Sequence, residues 1–157
     1  MHPTEYRHTD QWPYHISAGG LVHRIKDDGT IEVVVLYRNL PEGRHYHLPK
    51  GTLHYNETLE TDAKREVLEE SGIEAKIEGY LGAFTDDFMK DGVHIVKTTH
   101  YFAMKPLRDT HHHDSEHDGV EWMEISKARK LLEETEPKKK EYLILDRLAD
   151  FTKLMQK

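Results

Sequence analysis

Three glutamates, Glu66, Glu69 and Glu70, are spaced so that one helix would bring their carboxylates to the same face. Residues three and four positions apart are neighbours on a helix surface. Hard divalent cations such as Mg²⁺ take oxygen ligands, and a few carboxylates suffice because Mg²⁺ keeps several of its waters. The triplet is therefore either a metal site or a solvated acidic face, since acidic surface stretches are common.

The flanking residues predict the helix that would carry these glutamates. Thr58 can act as the N-cap, because its hydroxyl can accept from free backbone N–H groups of the first turn. Gly72 can adopt the left-handed conformation that ends a helix. Leu59, Ala63 and Val67 recur every four residues and form a narrow apolar stripe. The acidic last turn opposes stability by roughly 0.3–1 kcal/mol per charge, because the negative end of the helix dipole lies there.

The whole stretch from Gly51 to Ile73 resembles the Nudix box. The box reads Gly, five residues, Glu, seven residues, Arg-Glu, an aliphatic, any residue, Glu-Glu, any residue, Gly, an aliphatic. The matching residues are Gly51, Glu57, Arg65, Glu66, Val67, Glu69, Glu70, Gly72 and Ile73. The resemblance implies a Nudix hydrolase with the Nudix fold, an α/β architecture in which a mixed β-sheet is sandwiched between α-helices.

The resemblance also implies roles for the charged residues of the box. Glu66 and Glu70 would be metal ligands, and Glu69 would be a further ligand or the general base. Arg65 would pair with Glu57 in a forked contact that holds the preceding loop against the helix. We therefore place Glu69, Arg65 and Glu57 in the predicted catalytic group.

Residues outside the helix extend the predicted metal site. Gly51 would let the backbone turn tightly, so that a carbonyl near Lys50 or Gly51 faces the metal. Glu116 lies in a segment that resembles the carboxylate-bearing loop of several Nudix hydrolases, where it would complete the metal site or act as base. The expected cofactor is Mg²⁺, with Mn²⁺ able to substitute. The acidic residues that compete with Glu116 are Asp114, Asp118 and Glu121.

Cations and aromatic rings near the box are candidate contacts to the substrate. Lys50 could reach a phosphate as a point charge, and Arg38 and Lys97 belong to the same predicted substrate site. Phe84 and Phe88 could stack on adenine, although both could equally be core residues. Each cation alone would more commonly be an ordinary surface charge.

A histidine-rich segment carries His111, His112, His113 and His117. Imidazole suits zinc and copper, so a transition-metal site is one interpretation. Adjacent histidines point in different directions on an extended chain, and the chain has no cysteine to join them. A polar loop that could contact phosphate when protonated is the favoured interpretation.

The flanks of the box resemble most the diadenosine tetraphosphate hydrolase branch. The resemblance lies in residues 48–51, 96–102, 116–122 and 126–132, but the tyrosine that this branch usually carries beyond the box for base stacking is missing. The implied reaction is magnesium-dependent hydrolysis of a nucleoside polyphosphate. The first choice of substrate is diadenosine tetraphosphate, cleaved asymmetrically to ATP and AMP. The alternatives are oxidised nucleoside triphosphates, diphosphoinositol polyphosphates, capped RNA ends, and a Nudix module that binds a nucleotide without turnover.

Composition limits the number of domains and the classes of partner and location that the chain could have. The chain has 157 residues, a net charge of −7 and no cysteine, which indicates one domain at 14–157 after a polar arm at 1–13. The negative charge argues against broad nucleic-acid binding. No apolar run approaches the length of a membrane span. The N-terminus shows no signal core, so we expect a cytoplasmic protein; nothing in the sequence indicates an oligomeric state.

Hydrophobic periodicity and turn residues predict the order of elements. Before the acidic helix, the predicted elements are a hairpin of strands 14–25 and 31–37, a polar loop 38–44 and a short strand 45–48. After that helix come a strand 76–84, a loop 85–92, a strand 93–104 closed by Pro106, and a polar loop 107–118. The chain then continues with a strand 120–125, a helix capped by Ser126, and a helix 141–155.

Overall fold

The computed structural model of the protein describes residues 13–156, so the predicted arm lies outside the described residues except for Pro13. Between these limits no helix is both long enough and apolar enough to cross a bilayer. The elements are β1 Tyr14–Ile25, β2 Ile31–Leu40, β3 Gly43–His47, β4 Lys50–Thr52, α1 Leu59–Ser71, β5 Ile73–Lys90, β6 Val93–Asp109, β7 Gly119–Glu124, α2 Ile125–Thr135, a 3₁₀ turn Glu141–Leu143, and α3 Ile144–Met155.

Strand β1 lies at the centre of a mixed sheet. It pairs antiparallel with β2 and parallel with β6, and the strand order is β3-β2-β1-β6-β5. The short strand β4 also pairs antiparallel with β1, and β7 pairs with β2. Because Gly51 of β4 lies opposite Ala18 of β1, the start of the Nudix-like box is fixed to the middle of the sheet.

Both faces of the sheet are covered by helices. Successive residues of a strand point to opposite faces, so Val33 and Val35 of β2 pack in the core that α2 and α3 cover. Val34 packs in the other core with Ala63 and Val67 of α1. The predicted fold, a mixed sheet sandwiched between helices, is therefore confirmed.

Both predicted ends of α1 are confirmed. The Thr58 hydroxyl accepts from the Thr61 N–H at 3.1 Å, with Thr58 in an extended conformation. Gly72 has a φ of 76° and its N–H donates to the Leu68 carbonyl at 2.8 Å. The cap residues thus fix where the acidic last turn ends.

Two segments predicted as loops are strand in part: residues 85–90 belong to β5 and residues 107–109 to β6. Strand β5 continues to Lys90, where it pairs with Val93, so residues 85–92 form the tip of a long hairpin. Strand β6 continues through Pro106 to Asp109. Pro106 is tolerated because its pairing with Ala75 follows a register shift, and irregular positions accept a residue without an N–H. Cross-strand pairing, which local propensity does not report, decides both cases.

Smaller corrections concern element ends. The predicted loop 38–44 is a tight hairpin in which Leu40 lies opposite Gly43. Ser126 is not the N-cap of α2; Glu124 is, and the Ser126 hydroxyl donates to its carboxylate at 2.8 Å. The last predicted helix begins as the 3₁₀ turn Glu141–Leu143 before α3.

The close approach of the 107–118 segment to the end of α1 makes Gly72 sensitive to substitution. A Cβ at Gly72 would meet backbone atoms of His112 at 2.9–3.0 Å, whereas a Cβ at Gly29, which has a φ of 87°, would meet nothing within 4 Å. We expect Gly29→Ala to lower the free energy of unfolding by about 1 kcal/mol through the left-handed backbone alone. Gly72→Ala should cost more, because backbone must also shift. Urea unfolding of both variants measures this, and equal losses would contradict it.

Candidate active site

Arg65 is the centre of the polar network on α1. Its Nε and Nη2 donate to the two oxygens of Glu57 at 2.8 and 3.1 Å. Its Nη1 donates to Glu66 at 2.8 Å and to Glu69 at 3.1 Å, and its Nη2 donates to Asp62 at 2.6 Å. The planar guanidinium suits such forked contacts, and it holds four carboxylates within a small volume.

Glu57 ties the loop before α1 to the helix. The hydrogen bonds from Arg65 hold the pKa of Glu57 below its usual range. The His54 N–H donates to the same carboxylate at 2.9 Å. The forked pair that the resemblance implies is thus present in the structure, and Glu57 carries its charge near neutral pH.

Glu66 lies directly against Gly51. The position that a Cβ would take at Gly51 coincides with the carboxyl group of Glu66. Gly51 lies within β4 opposite Ala18, so the predicted tight turn at this glycine is wrong. The glycine is required here because a side chain would displace a carboxylate whose pKa is raised by burial.

Glu70 is the second partly buried carboxylate of the box. It accepts from the Lys50 N–H at 2.7 Å. Burial, with smaller contributions from the charges of Glu66, Asp114 and Glu116, raises the pKa of Glu70 to about 8 despite the lowering effect of that one hydrogen bond. A nearby cation would stabilise the ionised form of Glu70 and so lower its pKa.

The donor set fits a hard divalent cation. Glu66 and Glu70 are partly desolvated, which disfavours their charged forms. The neighbouring side chain of Glu69 is 54% exposed. Oxygen ligands are what Mg²⁺ takes, and its remaining positions are filled by water. Among the described residues the carboxylate oxygens of these three glutamates do not all lie within 4.8 Å of one another, so the side chains would have to converge on the ion. Its two charges would offset the cost of ionising the partly buried Glu66 and Glu70.

The acidic residues of the 107–118 segment and the following strand have separate surroundings. Glu116 is exposed and lies 3.8 Å from Arg38, so the structure brings these two predicted residues together near Glu70. Asp118 accepts from the Asn39 N–H at 2.6 Å, which is a structural contact. Glu121 lies within β7.

Lys50 is held in a buried ion pair. Its Nζ lies 3.0 Å from Glu141 Oε2, and the two side chains are 17% and 12% exposed. The other oxygen of Glu141 accepts from the Leu48 N–H at 3.0 Å. Burial alone would raise the pKa of Glu141, but Lys50 holds it below its usual range. Sequence reasoning missed Glu141, because 91 positions separate it from Lys50 and no local pattern joins them.

Lys97 lies beside the Lys50–Glu141 pair, and its pKa is lowered. Burial, together with the positive charges of Lys50 and Lys139, lowers the pKa of Lys97 to about 8. Glu141 and Asp86 oppose it in part. Three lysines and two carboxylates therefore lie close enough to interact here, and an added anion would be attracted to the surplus positive charge.

The two predicted stacking rings differ in their surroundings. Phe84 packs against the core under α2 and α3, and the Arg147 guanidinium lies 4.9 Å from its ring centroid. Phe88 is exposed near the tip of the β5–β6 hairpin, opposite Ile95. Of the two, Phe88 presents the freer ring face.

The histidine-rich segment divides into two parts. His111, His112 and His113 are exposed, as the polar-loop interpretation predicts. His117 is instead 7% exposed, and its Nδ1 lies 3.0 Å from Asp114 Oδ1. His117 thus points into the protein, and nothing in the sequence separates it from its neighbours.

Comparison with known proteins decides the family. The family model described as NUDIX domain matches residues 13–145. The chain belongs to the Nudix family. Among curated proteins, this Nudix chain is 36% identical over 113 residues to the putative mutator protein MutT4 of Mycobacterium tuberculosis; the match covers 69% of the chain but 46% of the relative. The chain therefore spans about half the length of that relative.

Solved structures share the Nudix fold with this chain. An Ap4A hydrolase of C. elegans in a binary complex matches with a TM-score of 0.62 and 24% identity, covering 88% of this chain and 97% of that one. The NUDIX domain of Shewanella oneidensis NrtR complexed with ADP ribose matches with a TM-score of 0.63 and 13% identity, covering 88% of each chain. Likenesses at such identities establish the architecture.

The Lys50–Glu141 pair predicts a large stability effect. Glu141→Gln leaves a buried ammonium without its counter-charge, so the free energy of unfolding should fall by about 3 kcal/mol or more. The matched control is Glu74→Gln, which removes an exposed partner of Arg108 in a pair with side chains 49% and 70% exposed and should cost less than about 1 kcal/mol. The double variant Lys50→Met/Glu141→Leu should recover much of the loss. Similar losses for Glu141→Gln and Glu74→Gln in urea unfolding would contradict the role of burial.

Proposed function

We propose that this Nudix chain hydrolyses a pyrophosphate bond of a nucleoside polyphosphate with a divalent metal, Mg²⁺ or in its place Mn²⁺. The observation that carries the proposal is the carboxylate group on α1. Glu66 and Glu70 are partly buried with raised pKa values, and Glu69 lies beside them on the same helix. No structural role of a helix end calls for three carboxylates in its last turns.

Different residues around α1 would have different roles in the reaction. Glu66 and Glu70 would hold the metal, with Glu69 as a further ligand or the general base; the metal when bound neutralises phosphate charge and makes a water more acidic. Arg65 keeps Glu66 and Glu69 in place through Nη1. Glu69 is the most exposed of the three, so it is best placed to accept a proton from an attacking water. Glu116 is the alternative base or a further ligand.

Diadenosine tetraphosphate leads among the substrates, with ATP and AMP as products. The sequence flanking the box supports this choice, and the Ap4A hydrolase of C. elegans shares the fold. Lys97 and Arg38 supply positive charge for the polyphosphate, and Phe88 supplies an exposed ring for a base. Lys50 contributes mainly by holding β4, since its ammonium group is paired with Glu141.

Turnover of a substrate panel by matched variants tests the proposal. Glu66→Gln and Glu69→Gln should each lower kcat/KM about 100-fold or more, because each removes a charged group from the reacting centre. Glu60→Gln, which changes a glutamate in the first turn of the same helix, is the control and should stay within about twofold. The panel comprises dinucleotides, nucleotide sugars, triphosphates and inositol pyrophosphates, with products identified by mass. Turnover of a nucleotide sugar alone would exclude the leading substrate, and unchanged rates in both variants would exclude the site.

The lowered pKa of Lys97 predicts how substrate affinity depends on pH. Because burial lowers this pKa from 10.5 to about 8, the ammonium loses its proton as pH rises through 8, and attraction for phosphate is lost above that value. We expect the KM of the wild type to rise between pH 7 and pH 9. Lys97→Gln should have a higher KM at pH 7 with little further rise, whereas Lys97→Arg should keep a low KM at pH 9.

The control for this prediction is Lys105→Gln, which changes an exposed lysine on the same strand. It should show the wild-type profile. If Lys97→Gln keeps the same rise in KM between pH 7 and pH 9, another group titrates, and Lys97 does not contact the substrate.

A further inference from the structure

The first part of β5 is a sheet edge with no strand on its outer side among the described residues. In the order β3-β2-β1-β6-β5 this strand is last, and it pairs with β6 alone. Such an edge presents unpaired backbone N–H and C=O groups, which can pair with another chain. Residues 73–77 of β5 each have a partner in β6, whereas Glu78 has none because the register shifts there. The regular part of the edge is therefore 73–77.

An apolar groove lies between this edge and the outer side of α1. Its volume is about 720 Å³, and its apolar lining comes from Leu68, Ala75, Ile77 and Leu107. Leu68 and Leu107 are 40% and 57% exposed. A contiguous apolar surface of this kind on a folded protein commonly marks a binding site. The groove and the edge together offer a partner both main-chain hydrogen bonds and apolar contact.

We propose that a second copy of this chain pairs with β5 in an antiparallel, two-fold symmetric dimer centred on Ala75. In this register Ala75 lies opposite Ala75 of the other copy. Ile73 lies opposite Ile77 on one face of the joined sheet. Glu74 lies opposite Lys76 on the other face. Each of these contacts occurs twice, because a two-fold interface uses the same surface of both copies.

Charge complementarity favours a second copy as the partner. Glu74 and Lys76 are two positions apart, so they share a face of the strand, and both are exposed. In the proposed register the glutamate of each copy faces the lysine of the other, which gives two pairs of opposite charge. Opposite charges at facing positions stabilise an antiparallel pair. A strand edge with this pattern is thus complementary to itself.

The two neighbouring symmetric registers are less favourable. A dimer centred on Lys76 would place two lysines opposite each other and Glu74 opposite Glu78, and facing like charges are destabilising. A dimer centred on Ile77 would include Glu78, where the pairing of β5 is irregular. Only the register centred on Ala75 joins unlike charges within the regular part of the edge.

The other face of the joined strands supplies the apolar contact. Ile73 and Ala75 belong to the core that α1 covers, and Ile77 packs against it. The two-fold axis is perpendicular to the sheet, so both α1 helices lie on the same face and the two grooves open towards each other. Leu68 and Leu107 of each copy then lose contact with water. This burial is needed because an isolated pair of strands is only marginally stable.

Sedimentation velocity of the full chain, from low micromolar to submillimolar concentration, tests the dimer. The wild type should dimerise, and Lys76→Glu should raise the dissociation constant about tenfold or more, because two attractive pairs become repulsive. The double variant Glu74→Lys/Lys76→Glu should return the constant to within about threefold of the wild type, since unlike charges again face each other. The matched control Lys90→Glu changes an exposed lysine at the far end of the same strand and should have no effect.

The groove has its own variant. Leu107→Ser should weaken the dimer about tenfold, because an apolar side chain loses its burial, and it also serves if Lys76→Glu does not fold. Its control is Leu154→Ser, which changes a 66% exposed leucine of α3 and should leave the dissociation constant unchanged.

The results separate the dimer from the proposed reaction. A wild type that stays monomeric over the whole range overturns the dimer. A dimer that survives Lys76→Glu, or that the double variant fails to restore, also overturns it, because the contact then lies elsewhere or in another register. Sedimentation needs neither substrate nor metal, so a chain that hydrolyses nothing in the panel can still show the dimer.

Discussion

The structure around the Nudix box depends on one cation being shared among too many anions. Arg65 donates to Glu57, Asp62, Glu66 and Glu69, and a single positive charge cannot neutralise four carboxylates. Burial raises the pKa of Asp62 to about 7, so this carboxylate can bind a proton near neutral pH and lose its negative charge. Burial also raises the pKa values of Glu66 and Glu70, and a divalent cation beside them would stabilise their ionised forms.

The central strand makes this crowding possible by allowing α1 to lie close to the sheet. A Cβ at Gly20 would meet Val67 Cγ2 at 2.9 Å, and a Cβ at Gly19 would overlap the Pro49 carbonyl. The missing side chain of Gly51 then gives space to Glu66. Small residues on β1 and β4 thus bring the helix near enough that its carboxylates are partly dried, and desolvation rather than charge repulsion is the first cause of their raised pKa values.

Local features of the fold and site could be predicted from the sequence, whereas long-range contacts could not. The caps at Thr58 and Gly72 are set by residues within a few positions, and so is the Arg65–Glu57 fork. The β5–β6 pairing beyond Phe84 depends on partners across the sheet, so local propensity alone predicts a loop at residues 85–92. Glu141 and the inward direction of His117 depend on packing between distant elements, which neither propensity nor spacing encodes.

Lys50 links the C-terminal part of the chain to Glu70 of the Nudix box. Its backbone N–H donates to Glu70 at 2.7 Å, while its side chain is held by Glu141 from the 3₁₀ turn at 3.0 Å. The C-terminal segment therefore fixes β4 through a side chain, and β4 orients a box glutamate through a main-chain group. Because the ammonium group is paired with Glu141, this lysine contributes to the arrangement around Glu70 through its backbone position rather than through a free charge.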